Sequence, residues 1–307
     1  MIAVIIIFTV LMFALLGIYA SYDKTFYNPP RDPSKPEKLT PVGNHPFREE
    51  TRAMAERINS LPCEFVTTVS HDGLKLSARY YRGNEDMPLC ICFHGYRGAA
   101  MRDFSGGGLL LIDEGYNVLI VDQRAHGRSD GTNITFGVNE RYDVLTWIKY
   151  TNERFGADKP TYLFGISMGA STVIMASGLE LPDNIRAVAA DCPYSSPKKI
   201  IKHVCRRIRL NPELSWPIVW LASRIYAHFD VNAITAADAV KKTKIPILII
   251  HGEGDRFVPP EMSEEIALAN PDMVERHTFA DAGHGLSYFY DTERYKSIVK
   301  DFLKKHP

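Results

Sequence analysis

Hydrophobic and polar residues alternate in two short segments of the chain and run together in several later ones. The alternating segments, residues 64–70 and 74–81, flank the turn-forming residues His71, Asp72 and Gly73, and so predict an antiparallel hairpin. Continuous apolar runs are typical of strands buried on both faces. These runs occupy residues 88–93, 116–122, 161–166, 185–191 and 245–250, and a further strand-like run follows at 274–280.

Helical patterns separate most of these runs, for example at residues 140–155 and 170–178. Such alternation predicts an α/β fold, a mostly parallel sheet with helices on both faces. Residues 47–59 have the pattern of an amphipathic helix that begins this domain, which we place at residues 47–307. The long interval between the strands at 185–191 and 245–250 exceeds an ordinary crossover, so we predict an inserted helical cap at about 195–244.

The first part of the chain has a different pattern. Residues 2–20 are nineteen consecutive uncharged, mainly apolar residues, which is just enough to span a membrane as a helix. A cleaved signal peptide is the alternative, but no basic residue precedes the run and bulky Ile18 lies three positions before a cut after Ala20. We predict an uncleaved transmembrane anchor at residues 1–22.

The residues after this segment are basic and rich in proline. Lys24, Arg31, Lys35 and Lys38 follow it, which favours a cytoplasmic catalytic domain, although the opposite face of the membrane stays open. The prolines at residues 29–46 predict an extended tether, which we place at residues 23–46.

Composition narrows the possible classes of function. The chain has 36 Lys and Arg against 36 Asp and Glu, and 45% of its residues are apolar. These values fit a globular protein and argue against nucleic-acid binding, which usually requires a basic excess. The cysteines are odd in number and scattered, so we expect free thiols rather than disulfides or a zinc site. They are Cys63, Cys90, Cys92, Cys192 and Cys205.

Ser167 is the candidate nucleophile. It is the central residue of Gly165-Ile166-Ser167-Met168-Gly169, which follows a predicted buried strand and precedes a helix of small residues. That strand–turn–helix setting exposes a serine hydroxyl at the end of a sheet. The simpler alternative is a serine that caps the helix.

A serine hydroxyl needs a base to remove its proton. Of ten histidines, His284 is the best candidate, because it lies in a loop after the last strand and is flanked by glycines. His94, His126 and His251 lie in turns at strand ends, and we expect them to orient local backbone.

The acid that orients the base is predicted to be Asp255, which follows a buried strand. Asp191 is a rival because it ends the preceding strand, and Glu253 and Asp281 are close in sequence. The order Ser167, Asp255, His284 matches the order of such residues in α/β hydrolases.

The oxyanion of the reaction requires backbone N–H donors. We predict one from Met168, directly after the nucleophile. We predict the second from Tyr96, in the loop after the first parallel strand.

Five segments together resemble the signature loops of α/β hydrolases: FHGYRG, VDQRAHGRSDG, FGISMGAS, IIHGEGDRFVP and DAGHG. The likeness covers about residues 64–305 and is strongest to membrane-anchored serine hydrolases similar to serine aminopeptidases and acylglycerol lipases. The resemblance implies an eight-stranded sheet, a cap over the active site and no cofactor or metal. It is poorly specific for the substrate.

The predicted cap contains a helix with two faces. Its basic face is formed by Lys198, Lys202, Arg206 and Arg209. Its apolar face is formed by Ile200, Ile201, Val204 and Ile208. An ordinary solvated face is the simple interpretation, and contact with anionic lipid is the sharper hypothesis.

These observations favour a serine hydrolase that cleaves lipophilic carboxylic esters through an acyl-enzyme intermediate. An amidase or peptidase with the same triad is the alternative. A non-catalytic, membrane-tethered binding protein is more remote, because the sequence contains a complete set of catalytic candidates.

Overall fold

The computed structural model describes residues 1–31, 39 and 45–307, with the side chains of residues 3, 6, 7 and 10 left out. Half of the predicted tether, residues 32–38 and 40–44, lies outside the described residues. The sheet has eight strands, which confirms the predicted fold. They are β1 (Glu64–Val69), β2 (Lys75–Tyr81), β3 (Leu89–Phe93), β4 (Asn117–Asp122), β5 (Thr161–Ile166), β6 (Ile185–Asp191), β7 (Ile247–Gly252) and β8 (Val274–Phe279).

The strand order across the sheet is β1-β2-β4-β3-β5-β6-β7-β8. β1 and β2 form the predicted hairpin, β2 also runs antiparallel to β4, and the other pairs are parallel. Asp191 at the end of β6 pairs in register with Ile166 of β5 and Ile250 of β7. The carboxyl ends of these three strands therefore lie side by side, which is where parallel sheets form their sites.

Helices cover both faces of the sheet because successive side chains of a buried strand point to opposite sides. Leu89, Ile91 and Phe93 of β3 pack into the core on one face, and Cys90 and Cys92 pack into the core on the other. The main-body helices outside the cap are α2 (Arg48–Ser60), α3 (Ala100–Asp103), α4 (Gly107–Asp113), α5 (Glu140–Phe155), α6 (Met168–Ser177), α10 (Glu261–Ala269), α11 (Ser287–Tyr290) and α12 (Thr292–Lys305).

The insertion between β6 and β7 is helical, as predicted. It contains α7 (Pro197–Arg207), α8 (Pro212–Ile225), α9 (Ala236–Ala239) and a 3-10 turn (Val240–Lys242). The predicted basic face needs a correction, because α7 ends before Arg209, whose φ of 63° is left-handed. Lys202 is paired with Glu213 of α8 at 2.5 Å. The nitrogen of Lys198 lies 5.5 Å from the centre of the Trp216 ring.

The first helix, α1 (Ile2–Thr25), continues past the predicted boundary at residue 22. Its C-terminal end packs on the main body: Tyr22 donates a hydrogen bond to Asn133 (2.8 Å), and Phe26, just beyond the helix, is fully buried. The Tyr19 ring meets the Tyr226 ring, just after α8, edge to face at 5.4 Å. Apolar and aromatic burial thus holds this end of α1 against the domain.

Among the residues that the structure describes, no helix is both long enough and apolar enough to cross a membrane. The transmembrane anchor predicted at residues 1–22 is not supported by this part of the chain.

Candidate active site

Ser167 lies in the tight turn between β5 and α6, with φ of 56° and ψ of −114°. This strained backbone is possible because Gly165 and Gly169 lie against one another and against β3. A Cβ on Gly165 would lie 2.4 Å from the carbonyl carbon of Gly169, and one on Gly169 would lie 1.8 Å from the carbonyl oxygen of Phe93. The two glycines of the motif are therefore required by close backbone packing, which holds the serine at the end of the sheet.

His284 joins Ser167 to Asp255. Its Nε2 lies 2.9 Å from the Ser167 Oγ, and its Nδ1 lies 2.6 Å from Oδ2 of Asp255. Because the carboxylate can only accept, Nδ1 carries the proton of the neutral ring and Nε2 faces the serine hydroxyl as an acceptor. The loop after β8 thus brings the three predicted residues into one hydrogen-bonded chain.

Asp255 is buried and receives hydrogen bonds from several directions. Its Oδ1 accepts the backbone N–H groups of Phe257 (2.8 Å) and Val258 (2.9 Å), and its Oδ2 accepts from His284 and from Nε2 of His251 (3.2 Å). Burial raises the pKa of Asp255, but the hydrogen bonds from the two histidines outweigh burial and hold the pKa well below its ordinary value. The carboxylate is therefore ionised near neutral pH.

Asp191, the rival acid, has different surroundings. Its Oδ2 accepts from the Tyr295 hydroxyl (3.1 Å), and its Oδ1 has no hydrogen-bond partner within the described part of the chain. Burial raises its pKa to about 6. The Nδ1 of His284 is bonded to Asp255 instead, so the geometry favours Asp255 as the orienting acid.

The predicted oxyanion donors are the backbone N–H groups of Met168, directly after Ser167, and of Tyr96, in the loop after β3. The N–H groups on either side of Tyr96 are occupied: Gly95 donates to Asp103 (2.9 Å), and Arg97 donates to Nε2 of His126 (3.0 Å). No described residue accepts a hydrogen bond from the N–H of Tyr96 or of Met168. Their role as donors to a developing oxyanion stays a prediction.

The histidines of the strand-end turns play two kinds of role. His94 and His126 bond to local backbone, His94 Nε2 accepting from Gln123 N–H (3.1 Å). Burial lowers the pKa of His126 to about 3, so its ring stays neutral and can accept from Arg97. His251 also contacts local backbone as expected, with its Nε2 3.0 Å from the Val258 carbonyl oxygen, and the same nitrogen lies 3.2 Å from Oδ2 of Asp255.

Two clusters of side chains among the described residues are close enough to hold a metal ion. The first is Cys192 with Asp255 and His284, but the latter two are bonded to each other and burial raises the pKa of the Cys192 thiol well above its ordinary value. The second cluster contains Asp72 and Asp143, which both pair with Arg124 at 2.8 and 2.6 Å. Neither cluster offers a free set of ligands.

A cavity of about 640 Å³ opens above Ser167. Its walls include the predicted apolar face of α7 together with part of α8. The cap contributes Ile200, Ile201, Val204, Ile208, Ile218 and Val219. Such a lining suits an apolar group much better than a charged one.

A model of the alpha/beta hydrolase family matches residues 90–296 of the chain. The chain belongs to the alpha/beta hydrolase family. This agrees with the resemblance found in the five signature loops.

Two solved structures and a curated lipase are similar to this alpha/beta hydrolase. The solved esterase Pf2001 of Pyrococcus furiosus has a TM-score of 0.67 at 26% identity and covers 92% of this chain and 98% of that one. Est1E of Butyrivibrio proteoclasticus, solved with ferulic acid, has a TM-score of 0.61 at 25% identity and covers 78% and 98%. Lysophosphatidylserine lipase ABHD12 of Macaca fascicularis is 26% identical over 217 residues, which are 64% of this chain and 50% of that protein.

Other relatives cover different shares of the hydrolase. Protein bem46 of Schizosaccharomyces pombe is 24% identical over 95% of this chain and 89% of its own length. The uncharacterised protein YqkD of Bacillus subtilis is 25% identical over 63% of this chain. The chain spans 64% of YqkD and half of the lipase. The family and these relatives support a hydrolase with esterase-type activity.

Two features of this hydrolase's site were missed by sequence reasoning. One is His251, whose contact with Asp255 depends on the turn after β7. The other is α1, which contributes Gly17, Ala20, Ser21, Lys24 and Thr25 to the cavity. The spacing of these residues on one helical face was a usable signal, but the strong hydrophobicity of the segment favoured an anchor.

Proposed function

We propose that this hydrolase cleaves carboxylic esters of lipophilic acyl groups through an acyl-enzyme intermediate. The observation that carries the proposal is the hydrogen-bonded chain from Asp255 through His284 to Ser167, at 2.6 and 2.9 Å, beneath a largely apolar cavity. A serine, a base and an orienting acid in this arrangement are the minimum for nucleophilic acyl transfer.

In the first half of the reaction, the Ser167 oxygen attacks the carbonyl carbon of the ester while its proton passes to Nε2 of His284. The carbonyl oxygen becomes an oxyanion that accepts hydrogen bonds from the N–H groups of Tyr96 and Met168. The protonated histidine, stabilised by ionised Asp255, then gives its proton to the departing alkoxide. The alcohol leaves, and the acyl group stays on Ser167.

The second half repeats these steps with water. His284 removes a proton from water, the resulting hydroxide attacks the acyl carbonyl, and the ester bond to Ser167 breaks. The serine oxygen recovers its proton from His284, and the carboxylic acid is released. Each proton has a donor and an acceptor among these groups and water, so the cycle closes without a cofactor.

The preference for a lipophilic acyl group follows from the cavity. Its volume of about 640 Å³ lies within the range of sites that enclose small molecules. Burying each methylene of an acyl chain against the isoleucine and valine side chains contributes about 0.8 kcal/mol. The relative named lysophosphatidylserine lipase supports a lipid ester, and the solved esterase Pf2001 supports ester hydrolysis in general.

The test is hydrolysis of p-nitrophenyl esters from acetate to palmitate, with Ser167→Ala compared at every chain length. We expect wild type to be active and the variant to lose about 10⁴-fold or more in kcat, as expected for removal of a nucleophile. Ser60→Ala, at an exposed position at the end of α2, is the matched control for the serine change.

Labelling by a fluorophosphonate probe completes the test. Inactivity toward every ester, in a protein that still takes the label at Ser167, would transfer the proposal to amide or peptide substrates. A protein that neither hydrolyses esters nor takes the label would instead support the non-catalytic alternative.

We also propose that the protein associates with a lipid surface through α1 and the basic residues of the cap. Phe8 and Phe13 of α1 and Leu214 of α8 are 69%, 64% and 74% exposed, and large exposed apolar groups favour lipid contact. Arg206 and Arg209 are also exposed.

Co-sedimentation with vesicles tests this second proposal. We expect the full chain to bind phosphatidylserine vesicles more tightly than phosphatidylcholine vesicles. Arg206→Glu with Arg209→Glu should reduce that preference, whereas Lys304→Glu on α12 should not. Equal binding to both kinds of vesicle by wild type would refute a role for the basic residues.

A further inference from the structure

The C-terminal half of α1 lies at the same cavity as the candidate nucleophile. Gly17, Ala20, Ser21, Lys24 and Thr25 line it together with Ser167. Steps of three, one, three and one residues place these five positions on a single face of a helix. One continuous face of α1 is therefore a wall of the cavity.

The loop after β3, which contains Tyr96 and Arg97, holds the C-terminal end of α1 in place. The Arg97 guanidinium donates to the carbonyl oxygens of Asp23 (3.3 Å), Lys24 (3.2 Å) and Tyr27 (2.7 Å). The hydroxyl of Tyr96 donates to the carbonyl oxygen of Thr25 (3.0 Å). The last carbonyls of a helix lack partners within it and form its negative end, so a guanidinium is a suitable cap.

Aromatic contacts fix the same helix against the cap. Tyr19 and Tyr22 of α1 both contact Tyr226, with ring centres 5.4 and 5.5 Å apart. The helix is thus attached both to the oxyanion loop and to the end of α8. Its position relative to Ser167 is set by these two attachments rather than by chain connectivity alone.

The lining residues of α1 farther from its C-terminal end, Gly17, Ala20 and Ser21, have small side chains, which leaves the cavity wide. A Cβ built on Gly17 meets no atom within 4 Å, so close packing does not require glycine at this position. Ala20 and Ser21 extend the same small-residue face. Larger side chains at these positions would take up space in the cavity without a backbone clash at Gly17.

We propose that residues 17–25 of α1 form a wall of the acyl-binding cavity and set the length of acyl chain that the enzyme accepts. This inference rests on the proposed esterase function and assigns a substrate-binding role to a segment outside the matched family region, residues 90–296. The small residues Gly17, Ala20 and Ser21 leave room for the distal part of a long chain.

Filling the wall tests the proposal. Gly17→Leu and the double variant Gly17→Leu/Ser21→Leu place branched side chains in the cavity, and leucine is a good helix former, so α1 should persist. The measurement is kcat/KM for p-nitrophenyl esters from acetate to palmitate. We expect the ratio of the palmitate value to the acetate value to fall by about tenfold or more in the double variant, the range for a methylene-scale change in an apolar pocket.

Thr9→Leu is the control, since it adds an apolar side chain to α1 eight residues before Gly17 and outside the cavity lining. It should leave the chain-length ratio unchanged. A double variant that unfolds at the wild-type temperature and keeps the wild-type ratio would overturn the proposal.

Direct binding separates this inference from the proposed esterase activity. A fluorescent dodecanoic acid should bind wild type, and its Kd should rise by about tenfold in the double variant. If wild type hydrolyses no ester but binds the probe about tenfold more tightly than the double variant does, the role of α1 as a cavity wall is supported and the esterase proposal fails. Absence of probe binding to wild type, or an equal Kd in both proteins, would contradict the wall.

Discussion

A buried aspartate lies at or just after the carboxyl end of each of β6 and β7, yet the pKa values of the two aspartates are shifted in opposite directions. Asp255, after β7, receives four hydrogen bonds and has a strongly lowered pKa. Asp191, at the end of β6, receives one side-chain hydrogen bond, from Tyr295, and burial raises its pKa to about 6. Burial therefore raises the pKa of a carboxyl group that has few donors, whereas several hydrogen-bond donors lower it and keep Asp255 ionised beside His284.

The largest expected effect comes from Asp255→Asn. The amide nearly preserves the shape of the side chain but cannot stabilise a protonated His284, and it favours the wrong tautomer of the ring. We expect kcat for p-nitrophenyl esters to fall by about 10⁴-fold.

The same change in the other aspartate is the control for that prediction. Asp191→Asn should retain activity to within about twofold, because Asp191 makes no hydrogen bond to His284. A greater loss of kcat in Asp191→Asn than in Asp255→Asn would reverse the assignment of the two acids.

A smaller effect is expected when one donor is taken from Asp255. His251→Phe keeps a ring at this fully buried position but removes the Nε2 donor, which lies 3.2 Å from Oδ2. We expect kcat to fall by about tenfold, because a hydrogen bond to a charged group contributes about 1.5–3 kcal/mol and other donors remain.

His251→Gln restores an N–H donor and should recover part of that loss. If His251→Phe and His251→Gln lose activity equally while both unfold at the same temperature, packing of the ring rather than its donor would explain the effect.

A last expected effect concerns stability and its dependence on pH rather than activity. In the folded protein Asp191 keeps its proton up to a pH of about 6, whereas in the unfolded chain it loses it near its ordinary pKa. Its contribution to stability is therefore full below about pH 4 and is lost as the pH rises through 6. Asp191→Asn removes this loss, so the variant should gain on the order of 2 kcal/mol relative to wild type between pH 4 and pH 7.

Urea unfolding of both proteins at the two pH values measures this difference. A free-energy difference between variant and wild type that does not change with pH would show that Asp191 titrates normally.

The strands and the nucleophile turn were predictable because they depend on local pattern. The continuous apolar run at residues 88–93, for example, corresponds to β3. The G-x-S-x-G motif likewise indicates the close approach of Gly165 and Gly169. The apolar face of α7 was also predictable, because a few residues are enough to reveal a helical period of apolar positions. Arg209 was misplaced because a left-handed φ at a non-glycine residue leaves no signal in the pattern.

The sequence by itself determined the order of the elements, the position of Ser167 between β5 and α6, and a short set of acids and histidines that could serve it. Only the tertiary structure places Asp255 rather than Asp191 against His284, and places α1 at the cavity. The physical reason is range. Periodicity and turn chemistry act between residues close in the chain, whereas this site joins distant segments: Asp255 and His284 are 29 residues apart, and Ser167 and His284 are 117 residues apart.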